Sequence, residues 1–169
     1  MDRKALTAAM SKWLSKYDRL VIAGVGNSLR SDDGLGVEFV KRLYGKIPRN
    51  VLSLDCGTVP ETYVGPIRRF RPSHILMIDA ADLGSEAGSI NLATPEEIVG
   101  LALSTHTLPL KVFADYLKAE TSASIALLAI QPKNTNFGET LSPEVEDTLK
   151  WVSNVVLALL KDGSPGMRA

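Results

Sequence analysis

Four short apolar runs, each ending in glycine, aspartate or glutamine-proline, constrain this chain more than any other feature. They are residues 20–23 (Leu-Val-Ile-Ala), 51–54 (Val-Leu-Ser-Leu), 75–78 (Ile-Leu-Met-Ile) and 125–130 (Ile-Ala-Leu-Leu-Ala-Ile). Runs with so little polar alternation suit strands covered on both faces. Helical patterns separate them. Leu6, Met10, Trp13, Leu14 and Tyr17 recur at helical spacing, so residues ~3–17 read as an amphipathic helix. Leu35, Val37, Phe39, Val40, Leu43 and Tyr44 give a second helix, closed near Gly45 and Pro48. Residues 60–69 read as a third, weakened by Gly65 and Pro66. Residues 89–92 form a short further strand that follows its neighbour closely enough to be an antiparallel edge. Thr94-Pro95 starts a helix over ~95–101, with threonine as N-cap and proline at the first helical position. Helices over 109–118 and ~143–161 complete the chain, the last capped by Ser142 and lined by Leu149, Val152, Val156 and Leu160. Strands alternating with helices predict an α/β fold. The expected form is a three-layer sandwich, with a twisted, mostly parallel sheet of about five strands flanked by helices.

A chain of 169 residues suits one domain over 1–169, with residues 1–18 as a helical extension and 162–169 as a flexible tail. Lys+Arg and Asp+Glu both number 19, so there is no basic excess. That argues against nucleic acid as a partner and against a basic membrane-surface helix. The longest apolar runs fall far short of the ~20 residues that span a bilayer. The first residues carry Lys12, Lys16 and Asp18 and no long apolar core, unlike a secretory leader. The single cysteine, Cys56, excludes an intramolecular disulfide and fits a reducing compartment. The expectation is a soluble, monomeric, cytoplasmic protein.

In open α/β sheets ligands bind beyond the carboxyl ends of the strands. The first strand is followed by Gly24-Val25-Gly26-Asn27-Ser28-Leu29-Arg30-Ser31-Asp32-Asp33-Gly34-Leu35-Gly36, the second by Asp55, the third by Asp79 and Asp82. The segment 104–107 offers His106. Carboxylates and an imidazole gathered at one edge suit a divalent metal such as zinc or nickel. Each aspartate has a plainer reading as a turn or helix cap, and the Asp32-Asp33 pair is also favoured by a helix dipole. Gly24-x-Gly26 opens like a dinucleotide fingerprint, but Leu29 stands where its third glycine belongs and the acidic pair would repel a pyrophosphate. A Walker A loop and a Gly-x-Ser-x-Gly elbow are both absent. Cys56 with His106 would make a thiol hydrolase, against the plainer reading of a small buried residue. His74, at the start of the third strand, belongs at the opposite edge.

The 24–36 segment resembles the signature of the [NiFe]-hydrogenase maturation endopeptidases, in which a Gly-x-Gly-Asn turn precedes an acidic pair and glycine. The segments 77–84 (Met-Ile-Asp-Ala-Ala-Asp-Leu-Gly) and 104–110 (Ser-Thr-His-Thr-Leu-Pro-Leu) match in the same order. Arg71-Pro72 and Ile130-Gln131-Pro132 resemble the hydrogenase-3-type subgroup. The resemblance covers roughly residues 19–160. It implies an endopeptidase that removes a C-terminal peptide from a hydrogenase large-subunit precursor after nickel insertion. The catalytic, metal-contacting residues it implies are Asp33, Asp79 and His106. Nickel would come with the substrate, although another divalent metal is compatible with the same donors. Asp55 and Asp82 become supporting candidates, and Asn27 with the Gly24 and Gly26 backbone would shape the floor beside the metal. The alternative is an escort protein that senses metallation of the precursor without cutting it.

Overall fold

The computed structural model describes residues 1–100, 102–103 and 109–162. Six strands run as β1 (Leu20–Val25), β2 (Val51–Gly57), β3 (His74–Asp82), β4 (Ile90–Ala93), β5 (Ala102–Leu103) and β6 (Ser124–Ile130). Five helices accompany them: α1 (Arg3–Leu14), α2 (Leu35–Leu43), α3 (Val64–Phe70), α4 (Leu110–Thr121) and α5 (Pro143–Asp162). The sheet order is β2-β1-β3-β6-β4, with β5 paired to β3. The β1–β2, β1–β3 and β3–β6 pairs are parallel. β4 is the antiparallel edge strand expected, but it lies beside β6 rather than beside β3, the strand it follows. This is the α/β architecture expected from the sequence, a mostly parallel sheet with helices on both faces.

The apolar runs are continuous because both faces of the sheet are covered. Leu20 and Ile22 of β1, Leu76 and Ile78 of β3, and Leu128 and Ile130 of β6 join one core with α1, α2 and α5. Their alternates Val21 and Ala23, Ile75 and Met77, and Leu127 and Ala129 join a second core with Ile67 of α3 and Phe113 and Leu117 of α4. Period-two alternation of side chains thus builds two interiors from one run. Leu6, Met10 and Leu14 of α1 are buried in the first, so the N-terminal helix covers a sheet face. Each such leucine-sized side chain contributes about 1.5–3 kcal/mol on burial.

Two elements differ from expectation. β3 does not stop at Ile78 but continues through Asp79 to Asp82, carrying a buried aspartate inside a strand. The helix expected over 95–101 is a 3-10 turn at Glu97–Gly100. Glu97 does reach back to accept from the Thr94 N–H at 2.8 Å, half of a capping box. Gly100 lies too close behind for a full α-helix to develop. The predicted 60–69 helix is present as a 3-10 turn at Pro60–Tyr63 running into α3. The tail 163–169 lies outside the described residues.

Candidate functional site

The chain leaves β1 toward β2 on one side and returns to β3 on the other. The crevice between β1 and β3 is therefore the topological switch point, where such sheets bind ligands. Gly24 of β1 pairs in register with Ile78 of β3, so Asp79 stands level with Val25 at the end of β1. The helix that follows is drawn onto this point by missing side chains. A Cβ on Gly36 would collide with the carbonyl oxygens of Val25 and Ile78, and one on Gly24 with the carbonyl of Gly36. Gly26 takes φ +144°, and a Cβ there would strike the Asp33 carbonyl. Only glycine suits that backbone and that proximity. The Asn27 N–H closes the loop by donating to the Asp33 carbonyl at 3.1 Å, and Asn27 Oδ1 accepts from the Leu29 N–H at 2.9 Å. The Gly-x-Gly-Asn turn thus presses a 3-10 turn, Ser31–Gly34, against the ends of β1 and β3.

That turn carries the acidic pair, and the two aspartates have opposite fates. Asp32 is wholly buried and fully engaged. Its Oδ2 accepts from the N–H groups of Lys133 and Asn134, both at 2.9 Å, and from the Ser142 hydroxyl at 2.7 Å. Its Oδ1 accepts from the Ser142 N–H at 2.6 Å. Asp32 therefore fastens the loop between β6 and α5. Asp33 is just as hidden, at 3% exposure, yet its Oδ1 is buried without a hydrogen-bond partner among the described residues. Buried polar atoms in native proteins are nearly always paired, and an exception calls for an explanation such as an absent ion or a catalytic role.

Asp79 is completely buried, with Oδ1 accepting from the Ala80 N–H at 2.8 Å. Alternation along β3 puts it on the face of Met77 and Ala81, toward the layer of α3 and α4. Asp33 and Asp79 thus come to the same end of the same pair of strands. His106 and the 104–107 segment lie outside the described residues. Among the described residues no three His, Cys, Asp or Glu side chains are grouped to hold a metal ion. Asp55 and Asp82 have local work. Both are exposed, and each accepts from the N–H two residues on, Gly57 at 3.1 Å and Gly84 at 3.0 Å.

Cys56 is buried in the second core, and burial, with Asp55 adding to it, pushes its thiol up to about 12. A nucleophilic cysteine needs a lowered value, so thiol catalysis has no support. His74 stands at the amino end of β3, away from the carboxylates, with Trp13 edge-on at 5.0 Å and the Ser73 hydroxyl 2.9 Å from Nδ1. Residues 133–141 carry no motif that the sequence singles out. Ser142 takes the cap position expected of it, its carbonyl accepting from the Glu146 N–H at 2.9 Å, while its hydroxyl and N–H both donate to Asp32. The available signal was Asp32 itself, a second acid with no assigned role.

Comparison with known proteins gives the family. The family described as hydrogenase maturation protease matches residues 37–159. The hydrogenase 3 maturation protease of Escherichia coli K12 is 32% identical over 133 residues, 78% of this chain and 85% of that protein. The crystal structure of a [NiFe] hydrogenase maturation protease HycI from Thermococcus kodakarensis superposes with a TM-score of 0.84 at 36% identity, covering 90% of this chain and 99% of that one. The solution structure of the endopeptidase HycI from Escherichia coli gives 0.75 at 28% identity, over 89% and 94%. The chain belongs to the hydrogenase maturation proteases, hydrolases that act on peptide bonds.

Proposed function

We propose that this protein removes a C-terminal peptide from the large-subunit precursor of a [NiFe] hydrogenase once nickel has been inserted, and that it recognises the nickel held by that substrate. Asp33, Asp79 and His106 complete the nickel's coordination and hold the adjoining peptide bond for attack by water. Two carboxylates and an imidazole suit a borderline divalent ion such as nickel. The observation that carries this reading is the contrast within the acidic pair. Asp32 spends both oxygens on the protein, while Asp33 keeps Oδ1 buried and, among the described residues, unpaired beside the switch point. A metal delivered by the substrate supplies the partner that oxygen lacks. Burial pushes the Cys56 thiol up to about 12, which suits it poorly to attack, and water is the attacking group on this reading.

The test is incubation with nickel-loaded precursor, read by intact mass. A precursor shortened at its C-terminus is the expected result, with Asp33→Ala, Asp79→Ala and His106→Ala each inactive but folded. Full cleavage by any of the three removes that residue from the site. Efficient cleavage of nickel-free precursor refutes nickel recognition. An intact precursor in a stable complex would instead favour the escort reading.

A further inference from the structure

We propose that Leu29 and Phe137 form a rigid apolar anchor that seats the protein substrate beside Asp33, an inference that rests on the peptidase reading above. Phe137 is 86% exposed and Leu29 50% exposed. Isolated exposed apolar side chains are ordinary, but these two are held by an unusual amount of structure. Arg30 and Gly138 form a parallel bridge, with the Gly138 N–H donating to the Leu29 carbonyl at 2.9 Å and the Ser31 N–H to the Gly138 carbonyl at 2.8 Å. That register brings Leu29 and Phe137 to matching positions on the two segments. The Ser31 hydroxyl donates to the Asn136 carbonyl at 2.9 Å, and Arg30 Nε to the Thr135 carbonyl at 3.2 Å. Ser31 adopts φ +52° within this clasp, a conformation uncommon for a non-glycine residue away from a helix C-cap, where Arg71 and Ser122 take it. Below the clasp, the buried Asp32 contributes its four hydrogen bonds.

So a buried carboxyl, a serine at positive φ and a two-segment bridge all fix a loop whose tip offers a phenylalanine to solvent. Preorganised aromatic side chains are the usual anchors of protein interfaces, since little ordering remains to be done on binding. The occupant follows from shape and continuity. A side chain 86% exposed stands out from the surface, so it does not line a small-molecule pocket. What covers it is another protein surface. Leu29 lies four residues before Asp33 in the same loop, within about 14 Å of it even for extended chain, so a protein whose peptide bond reaches Asp33 comes within reach of this pair. The fitting partner is a folded precursor with an apolar patch next to its scissile segment.

The experiment measures cleavage of nickel-loaded precursor by wild type, Phe137→Ala, Leu29→Ala and Phe137→Leu, with melting temperature and oligomeric state recorded for each. The expected result is KM raised at least tenfold in Phe137→Ala, with kcat and melting temperature unchanged and Phe137→Leu partly restored. That pattern marks lost binding uniform to ground and transition states. An unchanged KM overturns the anchor and leaves the peptidase standing. A KM change accompanied by a drop of several degrees in melting temperature also overturns it, assigning Phe137 to the fold. A wild-type dimer that Phe137→Ala splits overturns it too, by giving the pair to a second copy of this chain. If the wild type binds the precursor without cutting, the peptidase reading fails. The anchor then stands on a tenfold weaker complex in Phe137→Ala and falls on an equal one. A wild type that neither binds nor cuts overturns both.

Discussion

Exchanging each member of the acidic pair for asparagine should separate fold from function at adjacent positions. Asp32→Asn keeps the shape of the side chain but replaces one acceptor oxygen with an NH2 group. Asp32 receives two backbone N–H groups and a hydroxyl on Oδ2, and a third N–H on Oδ1. Whichever way the amide turns, it points donors at donors. Hydrogen bonds to a charged group are each worth about 1.5–3 kcal/mol net, and a donor left unsatisfied costs about 1–3 kcal/mol. The effects overlap, because the loop between β6 and α5 recovers water once it lifts. A loss of about 4 kcal/mol is therefore expected, at the high end for one substitution. For a chain of this length each kcal/mol moves the melting temperature by about 2–4 °C, so the drop should be about 8–16 °C. Asp33→Asn should give no such drop, since its Oδ1 has no bond to lose among the described residues, yet it should abolish precursor processing. Thermal unfolding by circular dichroism and an intact-mass cleavage assay read both properties. An Asp32→Asn protein that melts within about 3 °C of wild type would refute the clamp, and equal melting losses in the two variants would refute the division of labour.

Cys56→Ala should cleave precursor at the wild-type rate, and the native thiol should resist alkylation at neutral pH because burial pushes it up to about 12. Loss of cleavage in a folded Cys56→Ala protein would reinstate the thiol. Burial lowers the His74 imidazole below its ordinary value of 6.5, so the folded state favours the neutral ring. The stability this contributes is full above 6.5 and is lost as pH falls from there through the lower folded value, where the unfolded chain binds more protons. Urea melts between pH 7.5 and 5 should show a shallower decline in His74→Gln than in wild type; equal slopes would rule His74 out as the source. Gly36→Ala should cost about 1–3 kcal/mol or more and reduce cleavage, because the added methyl meets only backbone atoms of Val25 and Ile78. Gly65→Ala, whose methyl meets just the movable end of Arg69, should be neutral in the same melts.

The strands were readable because helices cover both faces of the sheet, so Leu20 to Ala23 and Ile125 to Ile130 could be apolar throughout. The end of β3 was not readable. Aspartate disfavours strands, and Asp79 marks a stop in any local scheme. In the folded chain, pairing with β6 carries the strand past it, Asp79 opposite Ala129 and Ala80 opposite Ile130. The helix expected after Thr94 shows the converse. Its capping signal is satisfied by Glu97, but the element lasts only to Gly100. Local chemistry started each element correctly, and long-range pairing or a nearby glycine decided its length.

The candidate site divides along the same line. Its glycines and acids were visible as a motif, but what each does depends on residues about a hundred positions away. Nothing near Asp32 in sequence announces that Lys133, Asn134 and Ser142 will bring it their donors. The dipole argument applied equally to Asp32 and Asp33, since both stand at the same helix start. Donors separate them. The loop that satisfies Asp32 reaches one side of the turn, and Gly26 and Gly36 bind the other side tightly to the strand ends. The Asp33 Oδ1 is thereby kept from water without a partner among the described residues. On the proposed reading the enzyme meets a metal arriving inside another protein, and such an arrangement would serve it. A carboxyl oxygen already paired within the fold would have to break that bond at each encounter, whereas one held dry and unpaired loses nothing on contact. The four bonds at Asp32 hold the turn in place, and with it the neighbouring oxygen that has none.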